Sequence, residues 1–130
     1  MPATGLNHFT ILTDDVPRTV RFYRELLALE QGYRPPFDFP GAWLYAGDQA
    51  VLHIIGGRSR GELRSGVIDH MAFSATGLAA SLGQLRSHGI DYDCRRLPGD
   101  GIWQVFFLDP NGARVELDFA ADEAMAMSAG

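Results

Sequence analysis

Cysteine is almost missing from this sequence of 130 residues: Cys94 stands alone, so no internal disulfide can form, which suits a reducing compartment. Basic residues are also few. Eleven against sixteen acidic ones give a net charge of −5 and a pI near 5.2. No basic stripe is available to neutralise phosphates, which argues against nucleic acid as a partner. No apolar run approaches the roughly 20 residues that cross a bilayer, so no membrane partner is expected. Met1-Pro2-Ala3-Thr4-Gly5 lacks the basic start and apolar run of a signal peptide, and a cytoplasmic location is expected. An apolar content of 46% and a charged content of 21% are enough to build one ordinary globular core.

What is present is alternation, punctuated by turns. Asp109-Pro110-Asn111-Gly112 reads as a tight reversal, because Pro presets φ and Asn-Gly tolerates positive φ. After it Val115, Leu117 and Phe119 alternate with Arg114, Glu116 and Asp118, the period of a half-buried strand. Glu116 is therefore expected on the face opposite the packed one. Upstream, 6–13 reads as a strand. A helix opens at Asp14-Asp15-Val16-Pro17, with an apolar stripe through Val16, Val20, Tyr23 and Leu27. A short strand at 31–34, a proline-broken aromatic loop over 34–41 and a hairpin of 42–46 with 50–55 follow.

Residues 57–66 have a linker's composition of glycine, serine and charge. Beyond them the pattern restarts: a strand over 67–74, a helix through Leu78, Leu82 and Leu85 that Gly89 can close, and strands at 91–95 and 103–108. Residues 120–130 read as a flexible tail. The order strand-helix-strand-strand-strand thus occurs twice, as module one over 5–56 and module two over 67–119 of a single domain. Leu6-Asn7-His8-Phe9-Thr10 aligns with Ile68-Asp69-His70-Met71-Ala72, and His53 of Val51-Leu52-His53-Ile54-Ile55 aligns with Glu116 of Arg114-Val115-Glu116-Leu117. A repeat with polar groups at matching positions is much less expected by chance than any single histidine.

His8, His53, His70 and Glu116 are therefore the candidate metal ligands. Two curved sheets facing each other would turn their faces into one concave cavity. Imidazole with carboxylate suits Fe(II), Mn(II), Co(II), Ni(II) or Zn(II), not Ca(II). Octahedral geometry would leave two positions open for substrate or water. Glu116, if it dissociated, would serve as a catalytic base. Thr10, Gln104 and Trp103 are candidate substrate contacts, and Trp43, Tyr45 and Phe106 are core before they are a substrate cage. His88, at a helix end, is expected to face solvent, and Cys94 shows no reactive-thiol motif.

Gly5-Leu6-Asn7-His8-Phe9-Thr10, the helix from Val16 to Leu27, Ile68-Asp69-His70-Met71-Ala72-Phe73 and the segment from Phe106 to Leu117 resemble the vicinal oxygen chelate superfamily. That superfamily holds glyoxalase I, extradiol dioxygenases, fosfomycin-resistance thiol transferases and bleomycin-resistance proteins. The resemblance implies an α+β fold of two βαβββ modules forming a curved mixed sheet around a metal-binding cavity, assembled as a module-swapped homodimer. It carries the metal ligands onto His8, His53, His70 and Glu116, and implies a lyase, isomerase or dioxygenase that takes a small substrate chelated through vicinal oxygens. Two other members of the superfamily imply alternatives. One is a fosfomycin-type thiol transferase. The other is a metal-free, antibiotic-sequestering protein that would hold an aromatic ligand between Trp43, Trp103 and Phe37. The glyoxalase I pattern would place a carboxylate or glutamine where His53 stands, and the fosfomycin pattern a serine and a tyrosine where Asp100 and Phe106 stand.

Overall fold

The structure, a computed structural model, describes residues 6–58, 68 and 70–126. The chain divides into two compact units, Met1–Arg64 and Ser65–Gly130. The first runs β1 (Phe9–Leu12), α1 (Val16–Leu27), β2 (Glu30–Gly32), β3 (Gly41–Ala46) and β4 (Gln49–Ile55). The second runs β5 (Met71–Ser74), α2 (Leu78–Ser87), β6 (Asp93–Arg96), β7 (Trp103–Leu108) and β8 (Arg114–Phe119). Each unit holds one mixed four-stranded sheet, ordered β1-β4-β3-β2 and β5-β8-β7-β6. In both, the first strand pairs parallel with the fourth and the other pairs are antiparallel. The expected pair of βαβββ modules is therefore present.

The helices form for the local reasons the residues suggest. Asp15, in extended conformation, accepts the Arg18 N–H on its side chain, and Pro17 occupies the first turn. The stripe buries Val20, Tyr23 and Leu26 together with Thr19, a polar residue that the apolar pattern passes over. Thr19 Oγ1 lies 3.0 Å from Thr13 Oγ1, and the Asp15 N–H donates to Thr13 at 2.9 Å, so the burial of both hydroxyls is compensated. Helix α2 buries Leu78, Leu82 and Leu85. It ends in a Schellman motif: Gly89 has φ +67°, its N–H donates to Arg86 O, and the Ile90 N–H donates to Leu85 O.

Alternation sorts each sheet into two faces. Ile11, Ala42, Leu44, Leu52 and Ile54 are buried in the first unit, and Met71, Val105, Phe107, Val115, Leu117 and Phe119 in the second. Entry into β8 is set by the Asp109 side chain, whose Oδ1 accepts the N–H groups of Asn111 and Ala113, both at 2.8 Å, with Gly112 at φ +88°.

Three expectations need adjusting. The first strand is shorter than 6–13: below Phe9 the side chain of Gln49 takes over the ladder, donating to Asn7 O at 2.7 Å. The strand expected over 67–74 is described from Met71, while residues 67 and 69 and most of the linker, 59–66, lie outside the described residues. The segment read as a flexible tail is tied down in its first part, and 127–130 lie outside the described residues. Gly77 at the start of α2 has no side chain to cap the helix; the Glu123 carboxylate does so instead, accepting from Gly77 N–H at 3.0 Å and Leu78 N–H at 2.7 Å. Glu123 O also accepts from Trp103 Nε1 at 2.8 Å. No helix among the described residues is long and apolar enough to cross a membrane.

A distant carboxylate that caps a helix should act like a local N-cap. Glu123→Ala is expected to cost about 1 kcal/mol of stability in urea unfolding, and an unchanged midpoint would contradict that role.

Candidate active site

The two modules place their candidate ligands by one rule. In the first, Thr10 pairs with His53 across β1–β4 and Trp43 pairs with His53 across β3–β4. In the second, Ala72 pairs with Glu116 and Phe106 pairs with Glu116. His8 and His70 each stand just before the first strand of their module. Thr10, His53 and Trp43 thus share the face opposite the buried core of their sheet, as do Ala72, Glu116 and Phe106.

In the first unit the three rings form one stack. Trp43 and His53 are 3.8 Å apart between centroids with planes 7° apart, and His53 and His8 are 3.7 Å apart at 14°. Asn7 Oδ1 lies 2.7 Å from His8 Nδ1 and holds the ring in place. Burial, and then the neighbouring His8, push the His53 pKa down, which keeps the ring neutral and able to ligate. A ligand metal lies in the plane of each imidazole, and near-parallel stacked planes share no such point. As stacked, His8 and His53 do not direct their lone pairs at one ion.

In the second unit His70 Nε2 lies 3.1 Å from Glu116 Oε1, with the Glu116 side chain 7% exposed. Gln104 Nε2 donates to Glu116 Oε2 at 3.3 Å. Two ligand atoms at about 2.1 Å from one ion are roughly 3.0–3.4 Å apart in octahedral or tetrahedral geometry, so this nitrogen–oxygen pair already has the spacing of neighbouring ligands. Asp118 follows on the same face. Burial, and then its hydrogen bond and proximity to Glu116, raise its pKa from 3.8 to about 6, against the opposing pull of His70. Its Oδ1 is buried without a hydrogen-bond partner among the described residues. A nearly dry carboxylate, a second carboxyl beside it and an orphaned oxygen are a donor set that a divalent cation fits. Among the described residues no group of three or more His, Cys, Asp or Glu side chains gathers in the manner of a complete metal site.

The remaining candidates divide. Gln104 and Phe106 stand with Glu116. Trp103 does not: it pairs with the buried Phe119, is bonded to Glu123 and lies under Arg96 at 4.0 Å. Phe37 stacks on Phe39 at 5.0 Å and is 6.4 Å from Trp43. His88 is exposed at the end of α2, and burial raises the Cys94 thiol pKa, as suits an inert side chain. Sequence reasoning missed Asp118, Arg95 and Arg114. The first and last share the alternation that singled out Glu116 and were legible on that ground; Arg95 needs the β6–β7 register.

Two βαβββ modules in one chain, each offering a polar residue on its fourth strand and a histidine before its first, define the vicinal oxygen chelate class. The chain belongs to the Glyoxalase/Bleomycin resistance protein/Dioxygenase superfamily, whose family model matches residues 5–117. It is 29% identical over 123 residues to the protein named Glyoxylase I 4 of Arabidopsis thaliana, covering 88% of this chain and 70% of that one. The structure is similar to the fosfomycin resistance protein FosX of Listeria monocytogenes, determined with Mn(II) and 1S,2S-dihydroxypropylphosphonic acid. The TM-score is 0.74 at 17% identity, over 91% of this chain and 93% of that one. It is also similar to lactoylglutathione lyase of Agrobacterium tumefaciens, with a TM-score of 0.65 at 18% identity over 93% and 97% of the two chains. At these identities the structural likeness is one of fold.

The raised Asp118 pKa has a definite sign. Between pH 3.8 and about 6 the folded protein keeps a proton that the unfolded chain has lost, so stability falls as pH rises through that window. In metal-free protein Asp118→Asn should remove this fall. Its Tm should exceed that of the parent above about pH 6 and converge with it near pH 4, and parallel Tm–pH curves would refute the assignment.

Proposed function

We propose that the chain is a divalent-metal-dependent enzyme of glyoxalase or dioxygenase type that acts, as a cytoplasmic homodimer, on a small substrate through two neighbouring oxygens. The observation that carries this reading is the 3.1 Å approach of His70 Nε2 to a Glu116 carboxylate that is almost removed from water. Leaving a carboxylate dry costs several kcal/mol unless a cation or donors compensate, and Gln104 with His70 is modest compensation. His70 and Glu116 would hold the ion, and His8 and His53 would join them only if their stack opened, the ion coming from the set Fe(II), Mn(II), Co(II), Ni(II) and Zn(II) that suits nitrogen and carboxylate donors. Bound there, the ion would supply Lewis-acid polarisation of a substrate oxygen.

The chain's own residues would do the rest. Gln104 orients Glu116 through Oε2, and Glu116, once dissociated from the ion, would be the base that takes a proton from the substrate carbon or hydroxyl. Asp118, protonated up to about pH 6, supplies a donor beside it. Thr10, next to His53 in register, and Phe106, next to Glu116, are substrate contacts. The name of the Arabidopsis relative supports the glyoxalase type, and the Mn(II) and dihydroxylated phosphonate with FosX support the metal and the vicinal oxygens.

A second reading, a metal-free binder of flat ligands, has one observation in its favour. The Trp43–His53–His8 stack presents parallel rings that an aromatic molecule would extend.

Metal content by plasma mass spectrometry separates the two. The parent protein, reconstituted with each divalent ion in turn, should bind close to one equivalent. His70→Ala should weaken that by more than the roughly 10–100-fold that loss of a supporting group costs. No bound metal in the parent would sink the enzyme reading and leave the binder.

A further inference from the structure

The outer edge of the first sheet carries a cleft that neither the candidate ligands nor the Trp43–His53–His8 stack accounts for. It offers about 330 Å³ between Glu30, Gln31, Gly32, Tyr33, Tyr45 and Gly47, near the lower end of the roughly 300–1,000 Å³ of small-ligand sites. Among the described residues no strand of the sheet lies beyond β2.

The register builds this cleft around one ring. Tyr45 is the cross-strand partner of Glu30, and its hydroxyl donates to Tyr33 O at 2.6 Å. The ring therefore leans from β3 across β2. It can do so because position 32 is glycine: a Cβ there would stand 2.8 Å from Tyr45 Cε2 and 2.9 Å from Cδ2. Glu30, Gly32 and Tyr45 share one face of the sheet by alternation.

The lining is suited to a cation. Glu30 and Tyr33 are exposed, Tyr33 by 72%. The Glu30 carboxylate makes no hydrogen bond or ion pair among the described residues. Arg34, the nearest arginine along the chain, is engaged elsewhere: it stacks on Phe37 and Phe39 and donates to Phe39 O. Phe37, Phe39, Trp103 and Phe106 each carry a guanidinium, whereas neither Tyr33 nor Tyr45 meets an arginine or another ring among the described residues. Two electron-rich rings beside an uncompensated carboxylate favour an alkylated ammonium ion, which has no need of several acceptors and gains from the ring faces.

We infer that this cleft binds a quaternary or alkylated ammonium group, of the kind carried by choline, free or as a lipid headgroup. The inference uses none of His8, His53, His70 or Glu116 and stands apart from the metal reading.

Calorimetric titration of the full-length protein tests it. Choline, its neutral carbon isostere 3,3-dimethylbutan-1-ol and the primary amine ethanolamine would be compared at constant ionic strength. Choline should bind saturably, about tenfold more tightly than the alcohol, and more tightly than the amine. Its N-methyl proton signal should move upfield over the tyrosine rings. Glu30→Gln and Tyr45→Leu should each weaken choline binding about two- to fivefold, the range of an exposed ion pair or cation–π contact. Gly32→Ala keeps every lining group but displaces the Tyr45 ring, and should weaken binding as much as Tyr45→Leu. Sedimentation with phosphatidylcholine vesicles separates the sources: retention that free choline competes away assigns a lipid headgroup, no retention assigns a soluble ligand, and either upholds the cleft when free choline binds. Equal affinity for choline and the alcohol or for choline and ethanolamine, no saturable binding by the parent, or parental affinity in both Glu30→Gln and Tyr45→Leu would overturn it. The comparison of choline with its isostere needs no variant, so a variant that fails to fold leaves the test intact.

Discussion

The parallel pairing of the first and fourth strands within each module is the constraint on which the site depends. A parallel pair needs a crossover, and here helix and hairpin supply it, leaving the helix to cover one face of the sheet. The other face is left uncovered by its own module's helix, and whatever residue the fourth strand offers at the register position opposite Thr10 or Ala72 comes forward on it. A slip of one residue would turn His53 and Glu116 into the core and expose Leu52 and Val115. The burial of those two residues, both 0% exposed, fixes the register. Functional placement is in this sense a by-product of core packing.

That placement is costly in the second module. Glu116 is nearly as dry as Val115 and Leu117 beside it, and Asp118 follows two residues later on the same face. Two carboxyl groups in contact cannot both ionise cheaply, and the outcome is visible in Asp118, which keeps its proton to about pH 6. Gln104 and His70 offset part of the cost with one hydrogen-bonding contact each. A fold selected for stability alone would place an apolar residue at 116, since replacing buried charge by hydrocarbon is often stabilising. Retaining a carboxylate there points to use rather than to structure.

The sequence made much of this legible because its two signals, period and repeat, are local. Alternation after Asp109-Pro110-Asn111-Gly112 suffices to aim Glu116, and comparison of two segments each with histidine third suffices to pair His8 with His70. Trp103 shows the limit of that reasoning. Its neighbour Gln104 donates to Glu116, and only the pairing of Trp103 with Phe119 and its bond to Glu123 show that Trp103 lies on the other face. Glu123 itself was hidden, because capping Gly77 across 46 residues leaves no local trace. Arg95 was hidden for the same reason: its relation to Phe106 exists only through the β6–β7 ladder.

The matched registers also show how the halves have diverged. Trp43 and Phe106 are equivalent, as are His53 and Glu116. Where the fourth strand offers an imidazole, the aromatic neighbour stacks on it in parallel at 3.8 Å. A carboxylate has no ring to offer, and in the second module the guanidinium groups of Arg95 and Arg114 lie over the Phe106 ring instead, 4.5 and 4.6 Å from its centroid. All eleven Lys and Arg positions of the chain are arginine, the cation whose flat face stacks best on an aromatic ring. Exchanging histidine for glutamate at one register position therefore changes more than one ligand. It turns an aromatic stack into a cationic one.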